Sequence, residues 1–140
     1  MSKERKWQLT LTELQLRLIS QCVEDCSRFA AGQTELDNTI NYLWNPKLVR
    51  DALRTVKPIV IPELELDVSY GWNGGDCPNR LQRAFIVKTY YIYREILHRI
   101  TVERNKEEDM SWNVYLGETL RCADSGEPIK LEVVNEADQD

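Results

Sequence analysis

A long helical repeat between Arg80 and Asn105 constrains the fold of this chain more than any other stretch. Most of the residues that recur there at steps of three and four are apolar, and that spacing places them on one side of a helix: Leu81, Phe85, Thr89, Ile92, Ile96 and Ile100. A second stripe lies beside the first: Ile86, Tyr90, Tyr93 and Leu97. The repeat predicts one long helix with a wide buried face and with Phe85, Ile92 and Ile96 in the core. Asp76 or Asn79 is expected to cap its start, and Asn105 to end it.

A glycine-rich turn leads into this helix, and a basic stripe follows one of its faces: Arg83, Tyr91, Arg94 and His98. Free backbone N–H groups at a helix start, glycines that allow close approach and arginines that fork onto phosphate are the ingredients of an anion site. The predicted ligand-binding residues are Tyr70, Trp72, Gly74, Gly75, Arg80, Arg83, Tyr91, Arg94 and His98. The alternative interpretation is that the glycines only form a turn and the charges only solvate a surface.

Three further helices are expected before this turn. Thr12 and Gln15 fit a capping box, and Gly32 fits a left-handed stop. The predicted buried stripe of this first helix is Leu16, Ile19, Val23, Cys26 and Ala30, widened by Leu18, Cys22 and Phe29. Thr34 is expected to cap a second helix that reaches Leu43. Asn45 and Pro46 are expected to start a third, which Pro58 ends.

Alternating apolar residues predict short strands at 7–11, 64–70, 112–116 and 129–133. Ile59–Ile61 is expected to form a packed connector or an edge strand. The expected fold class is therefore α+β, with three or four helices, one of them long, packed on a small and mostly antiparallel sheet. We expect one domain over residues 1–134 and a disordered acidic tail at 135–140.

Composition limits the classes of partner. The chain has 140 residues and a formal net charge of −5. Binding to a long nucleic acid needs many cationic contacts, so we do not expect it. No apolar run approaches the ~20 residues of a membrane span, and a cytoplasmic location is the default expectation. The four cysteines form no C-x-x-C pair, so neither a disulfide framework nor a metal site is predicted.

Catalytic signatures are lacking as well. His98 is the single histidine, and the local sequence places no serine or cysteine beside it. No P-loop, dinucleotide fingerprint or zinc-protease motif is found. We therefore expect a protein that is not an enzyme and that needs no cofactor. A weak hydrolase that uses His98 with a carboxylate is a third and lesser hypothesis.

Several short motifs resemble a known group of proteins. They are Leu9-Thr10-Leu11-Thr12-Glu13, Arg28 with Gly32-Gln33, Ser69-Tyr70-Gly71, Tyr91-Ile92-Tyr93 and His98-Arg99. Over about Trp7 to Asn105, the chain resembles small uncharacterised proteins encoded by phages, prophages and mobile elements of gut bacteria. Here the turn carries the additional residues Trp72-Asn73-Gly74-Gly75. The resemblance implies an accessory or counter-defence protein in the cytoplasm of a bacterial host cell.

Two functional hypotheses follow. The first is a non-enzymatic protein that binds a phosphate-bearing small molecule, such as a nucleotide signal, at the turn and the basic stripe. The alternative is an inhibitor or adaptor that engages a host protein through acidic and aromatic surfaces, because tryptophans at element ends are favoured interface anchors. The wide apolar face of the long helix also predicts a homodimer or a higher homo-oligomer.

Overall fold

The computed structural model describes residues 4–36 and 38–134, and the regular structure of this part of the chain is helical throughout. The elements are α1 (Glu13–Ala30), α2 (Ile40–Leu43), α3 (Pro46–Val60) and α4 (Arg80–Arg104). Two short 3-10 helices follow at Val114–Leu116 and Ala123–Ser125. Because the described residues contain no strand, the predicted α+β fold with an antiparallel sheet is wrong. The predicted tail at 135–140 lies outside the described residues.

The predicted starts of the three longer helices are confirmed. Thr12 and Gln15 form the capping box, with backbone-to-side-chain hydrogen bonds of 2.9 and 3.1 Å. Asn45 Oδ1 accepts from two backbone N–H groups at the start of α3, and Asn79 Oδ1 accepts from one at the start of α4. Gly32 has a φ of 97°, as expected for a left-handed stop after α1.

The second and third helices differ from their predicted extents. Thr34 does not cap a helix, because α2 begins only at Ile40. The buried carboxylate of Asp25 caps it instead by accepting from the Thr39 backbone N–H at 2.7 Å. The third helix, α3, continues past Pro58 to Val60, so Pro58 does not end it and Ile59–Val60 is helical. Pro58 lies in the last turn of α3. It lacks the N–H of one helical hydrogen bond, but the Ile61 N–H still donates to the Lys57 carbonyl at 2.8 Å.

The predicted strand at 64–70 has no ladder partner. The ammonium group of Lys57 binds the carbonyl oxygens of Leu66 and Val68, at 2.8 and 2.5 Å. The Tyr70 backbone N–H donates to the Ala31 carbonyl at 2.7 Å. Local turns take further backbone groups of this stretch. These backbone groups therefore have partners outside a sheet, and the alternating apolar pattern of the stretch does not by itself produce a strand.

The other three predicted strands are absent as well. Within 112–116 the chain forms a 3-10 helix, and the Asn113 side chain caps it through the Tyr115 backbone N–H at 2.8 Å. Within 129–133, the Ile129 backbone N–H donates to the Tyr91 hydroxyl at 3.0 Å. Trp7 and Leu9, in the predicted first strand, are 85% and 74% exposed.

The principal packing contact joins α1 and α4 through a polar face of α1. Ser20 and Ser27 are buried there, and their hydroxyls donate to the carbonyls of Tyr93 and Ile86 on α4. Glu24 is buried on the same face. The apolar stripe predicted for this helix is wrong, because Ile19, Cys26, Leu18 and Cys22 are exposed and its other members are half-buried. Small serine side chains let the two helix backbones approach closely. The apolar repeat does not reveal this contact face, because serine is not apolar.

The core face of α4 is rotated from the prediction. Its buried apolar and aromatic residues are Ile86, Val87, Tyr91, Tyr93, Ile96 and Ile100. Burial of Ile96 is confirmed, but Phe85 is 45% exposed and Ile92 is only half-buried. None of the described helices is long and apolar enough to cross a membrane.

Candidate ligand-binding site

Three residues of the basic stripe, Tyr91, Arg94 and His98, contact the chain's own C-terminal segment, which we define as residues 113–134. Arg94 donates to the Val114 carbonyl at 3.0 Å, and its guanidinium lies 4.5 Å from the centre of the Tyr115 ring. His98 Nδ1 is 2.8 Å from the Tyr115 carbonyl oxygen, so a proton on Nδ1 makes this ring nitrogen the donor. Both predicted ligand residues therefore hold polypeptide.

Other α4 side chains continue this attachment. Lys88 Nζ donates to the Asp124 carbonyl at 3.0 Å, and the Thr119 hydroxyl donates to Glu95 at 2.9 Å. The buried Tyr91 accepts from the C-terminal segment, and the Arg121 guanidinium lies 4.8 Å from the centre of its ring. This face of α4 is therefore a docking strip.

The glycine-rich turn is closed by its own contacts. Gly74 is buried with a φ of 81°, and a Cβ there would collide with the Arg83 side chain. Arg83 itself donates to the Cys77 carbonyl at 2.8 Å. The Gly75 N–H donates to the Asn73 side chain at 3.0 Å, and Arg80 is exposed at the first position of α4. The glycines thus serve the turn and the packing of Arg83, and a bound anion at this turn stays a prediction.

Tyr70 and Trp72 lie on another side of α4, where an aromatic cavity of about 350 Å³ opens. The Trp72 ring is 5.4 Å from the Tyr90 ring, and Tyr90 packs edge-on against Tyr93 at 5.5 Å. The full lining is Ser27, Arg28, Ala31, Gln33, Ser69, Tyr70, Gly71, Trp72, Ile86, Tyr90 and Tyr93. Its volume is at the lower end of the range for small-molecule sites, about 300–1,000 Å³.

One wall of the aromatic cavity carries a fixed cation. Arg28 pairs with the buried carboxylate of Glu24 at 2.8 Å and donates to Gln33 at 2.9 Å. Burial opposes the charge of Arg28, but the pair with Glu24 outweighs it and raises the pKa of the guanidinium. The cation is therefore permanent and held in one orientation.

The two buried tyrosines of the cavity are held in their neutral form. Burial, together with the nearby Glu24 carboxylate, raises the pKa of Tyr93 to about 12. Burial and a hydrogen bond from the hydroxyl to Glu63 at 3.2 Å raise the pKa of Tyr70 to about 12. The cavity thus offers neutral aromatic rings next to one arginine.

A second cavity of about 180 Å³ adjoins the first, and Gln33 and Ser69 line both. Its other lining residues are Gly32, Thr34, Glu35, Arg54, Lys57, Leu66, Asp67 and Val68. We call it the lysine cavity, because Lys57 is 2% exposed and ends there. Arg54 and Asp67 pair across its rim at 2.9 Å. Aromatic and charged surfaces therefore meet at the shared wall.

The structure divides the predicted site residues into three groups. Tyr70 and Trp72 come together at the aromatic cavity; Gly74, Gly75, Arg80 and Arg83 belong to the turn and the start of α4; and Tyr91, Arg94 and His98 belong to the docking strip.

Sequence reasoning did not identify Arg28, Gln33, Tyr90, Tyr93 and Lys57 as site residues. One usable signal existed, because Arg28, Gln33, Ser69, Tyr70, Gly71 and Tyr93 all lie in the motifs that carry the phage-protein resemblance.

No group of three or more His, Cys, Asp or Glu side chains in the described ranges is placed to hold a metal ion. The Glu95 carboxylate, which a hydrolase would need beside His98, instead bonds Arg99 at 3.3 Å and Thr119. Comparison of the chain with protein-family models, with curated proteins and with solved structures finds no match.

Proposed function

We propose that this protein binds a small molecule with a planar ring and a negative charge, and that it does so without catalysis. The observation that carries the proposal is the aromatic cavity, in which Trp72, Tyr90 and Tyr93 stand beside Arg28. Flat rings stack on aromatic side chains, and every nucleobase has a π-face that can do so. A phosphate-bearing ligand such as a nucleotide signal fits this chemistry better than an aliphatic one.

The proposal keeps the ligand class that the sequence predicts and moves its location. The turn glycines and the stripe of Arg94 and His98 are used within the fold, whereas the aromatic cavity is open. Arg28 places a guanidinium at the wall of this cavity, where it is also paired with Glu24 and Gln33. The bacterial cytoplasm as the location, and counter-defence as the biological role, stay proposals that depend on the resemblance.

Isothermal titration with a panel of nucleosides and mono-, di- and cyclic nucleotides tests the proposal. We expect at least one member to bind, and Trp72→Ala to weaken that binding about ten- to a hundredfold, since stacking on one aromatic contributes ~1–3 kcal/mol. Trp112→Ala is the matched control, because Trp112 is 81% exposed and lies outside the cavity lining. Lack of binding by every ligand, or equal binding by Trp72→Ala, refutes the proposal.

A protein inhibitor or adaptor is the second candidate, and exposed apolar residues favour it. Leu14 and Leu18 on α1 are 77% and 57% exposed, and Leu48 and Ile59 on α3 are 66% and 74% exposed. Large exposed apolar patches on a folded chain usually mark interaction sites, and these side chains are candidates for one. Capture of one host protein by the parent, but not by Leu14→Asp or Leu48→Asp, would support this candidate. Equal capture by both variants would contradict it.

A further inference from the structure

Lys57 is a buried cation that lacks a partner of opposite charge at contact distance. Its residue is 2% exposed, and its ammonium donates to two carbonyl oxygens, those of Leu66 and Val68. An ammonium has three N–H donors, so one remains. Among the described residues, no carboxylate lies within 4.0 Å of it. Lysine is almost never fully buried unless it is paired, and the two carbonyl groups that accept from Lys57 carry no charge.

The lining of the lysine cavity carries two cations, Lys57 and Arg54, and two carboxylates, Asp67 and Glu35, and of these four only Lys57 is buried. Burial lowers the pKa of Lys57, which Asp67 partly offsets and Arg54 reinforces. The Asp67 side chain is 81% exposed and is paired with Arg54, and Glu35 is exposed as well. Water screens those two carboxylates, whereas the buried ammonium is little screened.

Other donors line the same space. Thr34 and Ser69 contribute hydroxyl groups, and Thr34 is buried. Gln33 accepts from Arg28 through Oε1, so its amide NH₂ is left as a donor. A volume of about 180 Å³ accommodates a phosphate or a carboxylate group. Charge-assisted bonds to such an oxyanion are the strong kind.

We infer that the lysine cavity is an oxyanion subsite, in which Lys57 receives the phosphate or carboxylate of a ligand whose ring occupies the aromatic cavity. The inference deepens the proposed function and rests on it for the ring, but the subsite itself stands on Lys57 and its cavity. Gln33 and Ser69 line both spaces. A ligand that bridges them therefore carries its charge next to its ring, as a nucleotide does.

The first experiment uses inorganic phosphate and acetate as probes, which separates the two oxyanion chemistries. We expect one of them to raise the melting temperature of the full chain in a concentration-dependent way, as a ligand of the native state must. Lys57→Met should weaken that probe's binding about ten- to a hundredfold, because it removes the buried charge. Lys47→Met is the control, since Lys47 lies on the same helix and is exposed.

A second measurement separates binding from a merely structural lysine. We expect the pKa of the Lys57 ammonium, followed by NMR of the side-chain nitrogen, to rise when the probe is added, because an anion favours the charged form. Arg54→Gln should weaken the same probe less than Lys57→Met does. If Lys57→Met fails to fold, Arg54→Gln replaces it in the test. A response of Arg54→Gln like that of the parent, together with an unchanged pKa of Lys57, would then overturn the inference.

Failure of the subsite is distinguishable from failure of the proposed function. Binding of a nucleoside without phosphate reports the aromatic cavity alone, and Trp72→Ala should remove it while the response to inorganic phosphate or acetate persists. If the nucleoside binds and neither anion does, the proposed function stands and the oxyanion subsite is wrong. Equal binding of the anion by the parent and by Lys57→Met would also overturn it.

Discussion

Ser20 is fully buried between α1 and α4, and its small side chain sets how closely these helices approach. We expect Ser20→Leu to lower the free energy of unfolding by about 1–3 kcal/mol through overpacking, with about 1 kcal/mol more from the lost bond to the Tyr93 carbonyl. Urea unfolding measures this change. If α1 instead buried the apolar stripe that its sequence predicts, Ser20 would face water and leucine would be neutral or slightly stabilising.

Ser111→Leu is the control for this substitution, because Ser111 is exposed. Its effect should lie within about 0.5 kcal/mol. A similarly small effect of Ser20→Leu would contradict the packing of α1 on α4.

Tyr70 and Tyr93 make stability depend on alkaline pH. Both pKa values are raised to about 12 in the folded chain, against an ordinary value of 10.0. Their stabilising contribution is complete below pH 10 and is lost as the pH rises toward 12. The lowered pKa of Lys57 makes the free energy of unfolding rise with pH, but this rise is complete at the ordinary lysine value of 10.5. We therefore expect the urea midpoint to fall between pH 10.5 and 12.

Tyr93→Phe isolates one of the two groups. In this variant the fall above pH 10.5 should be shallower than in the parent, because a phenyl ring does not titrate. A parallel alkaline titration followed by tyrosinate absorbance should show one late-ionising tyrosine fewer in the variant than in the parent. If the loss of Tyr93 removes no late-ionising group, the burial assigned to this ring is wrong.

Among the elements, the C-terminal segment depends most on single side chains. Arg94 holds it through the Val114 carbonyl and through its contact with the Tyr115 ring. Arg94→Ala should raise amide exchange around residues 113–117 by about fivefold to tenfold, equivalent to about 1 kcal/mol of local stability. Amides at the centre of α4 should keep their protection. Hydrogen exchange followed by mass spectrometry measures both.

Arg80→Ala is the matched control, since Arg80 is an exposed arginine on the same helix. It should leave exchange in the C-terminal segment unchanged. If Arg94→Ala also leaves it unchanged, the stripe does not dock this segment, and the sequence-based interpretation of the stripe as a ligand site regains its place.

The starts of the three longer helices were predictable from sequence, because local rules decide them, whereas α2 depends on a cap from the distant Asp25. The capping box at Thr12, the Asn45-Pro46 start and the Asn79 cap each involve residues within one turn. The strand predictions were wrong because an alternating pattern distinguishes the two faces of a segment but does not show which groups its backbone will bond. At 64–70 a lysine from α3 supplies them, and no local pattern reports a partner several residues away in another element.

Side-chain pairing between distant segments also hid the candidate site. Trp72 was predictable as a stacking residue, but Tyr90 and Tyr93 read as core positions on the apolar stripe. Arg28 entered the sequence analysis only as part of a short motif. Only the packing of α1 on α4 brings these residues to one cavity. The lysine cavity was equally hidden, because the burial of Lys57 depends on the 64–70 stretch folding over it.

At the scale of the whole molecule, the chain exposes more surface than a compact monomer of its mass. It exposes 10385 Å², whereas a 16.4 kDa monomer is expected to expose about 7,500 Å². Residues 4–10, all exposed, contribute part of the surplus, and the apolar faces of α1 and α3 contribute another part. Obligate dimers bury about 2,000–5,000 Å² in total, or about 1,000–2,500 Å² on each chain, so such an interface would cover part of this surplus.

We therefore expect a homodimer through α1 and α3 rather than through α4. Light scattering at tens of micromolar should give twice the mass of one chain. Leu18→Glu on the exposed face of α1 should reduce it to one chain, while Leu81→Glu, at an 83% exposed position on α4, should not. A parent that is monomeric, or a dimer that only Leu81→Glu disrupts, would contradict this arrangement.

The attachment of the C-terminal segment has one more consequence, which concerns cooperativity. Four side chains along α4 each hold a different point of the segment: Lys88, Tyr91, Glu95 and His98. Contacts at separate points that share no partner contribute additively, unlike the bonds of a strand ladder, in which each pairing fixes the next. The segment should accordingly loosen in graded steps as these contacts are removed one by one, while the α1–α4 pair still unfolds in a single transition.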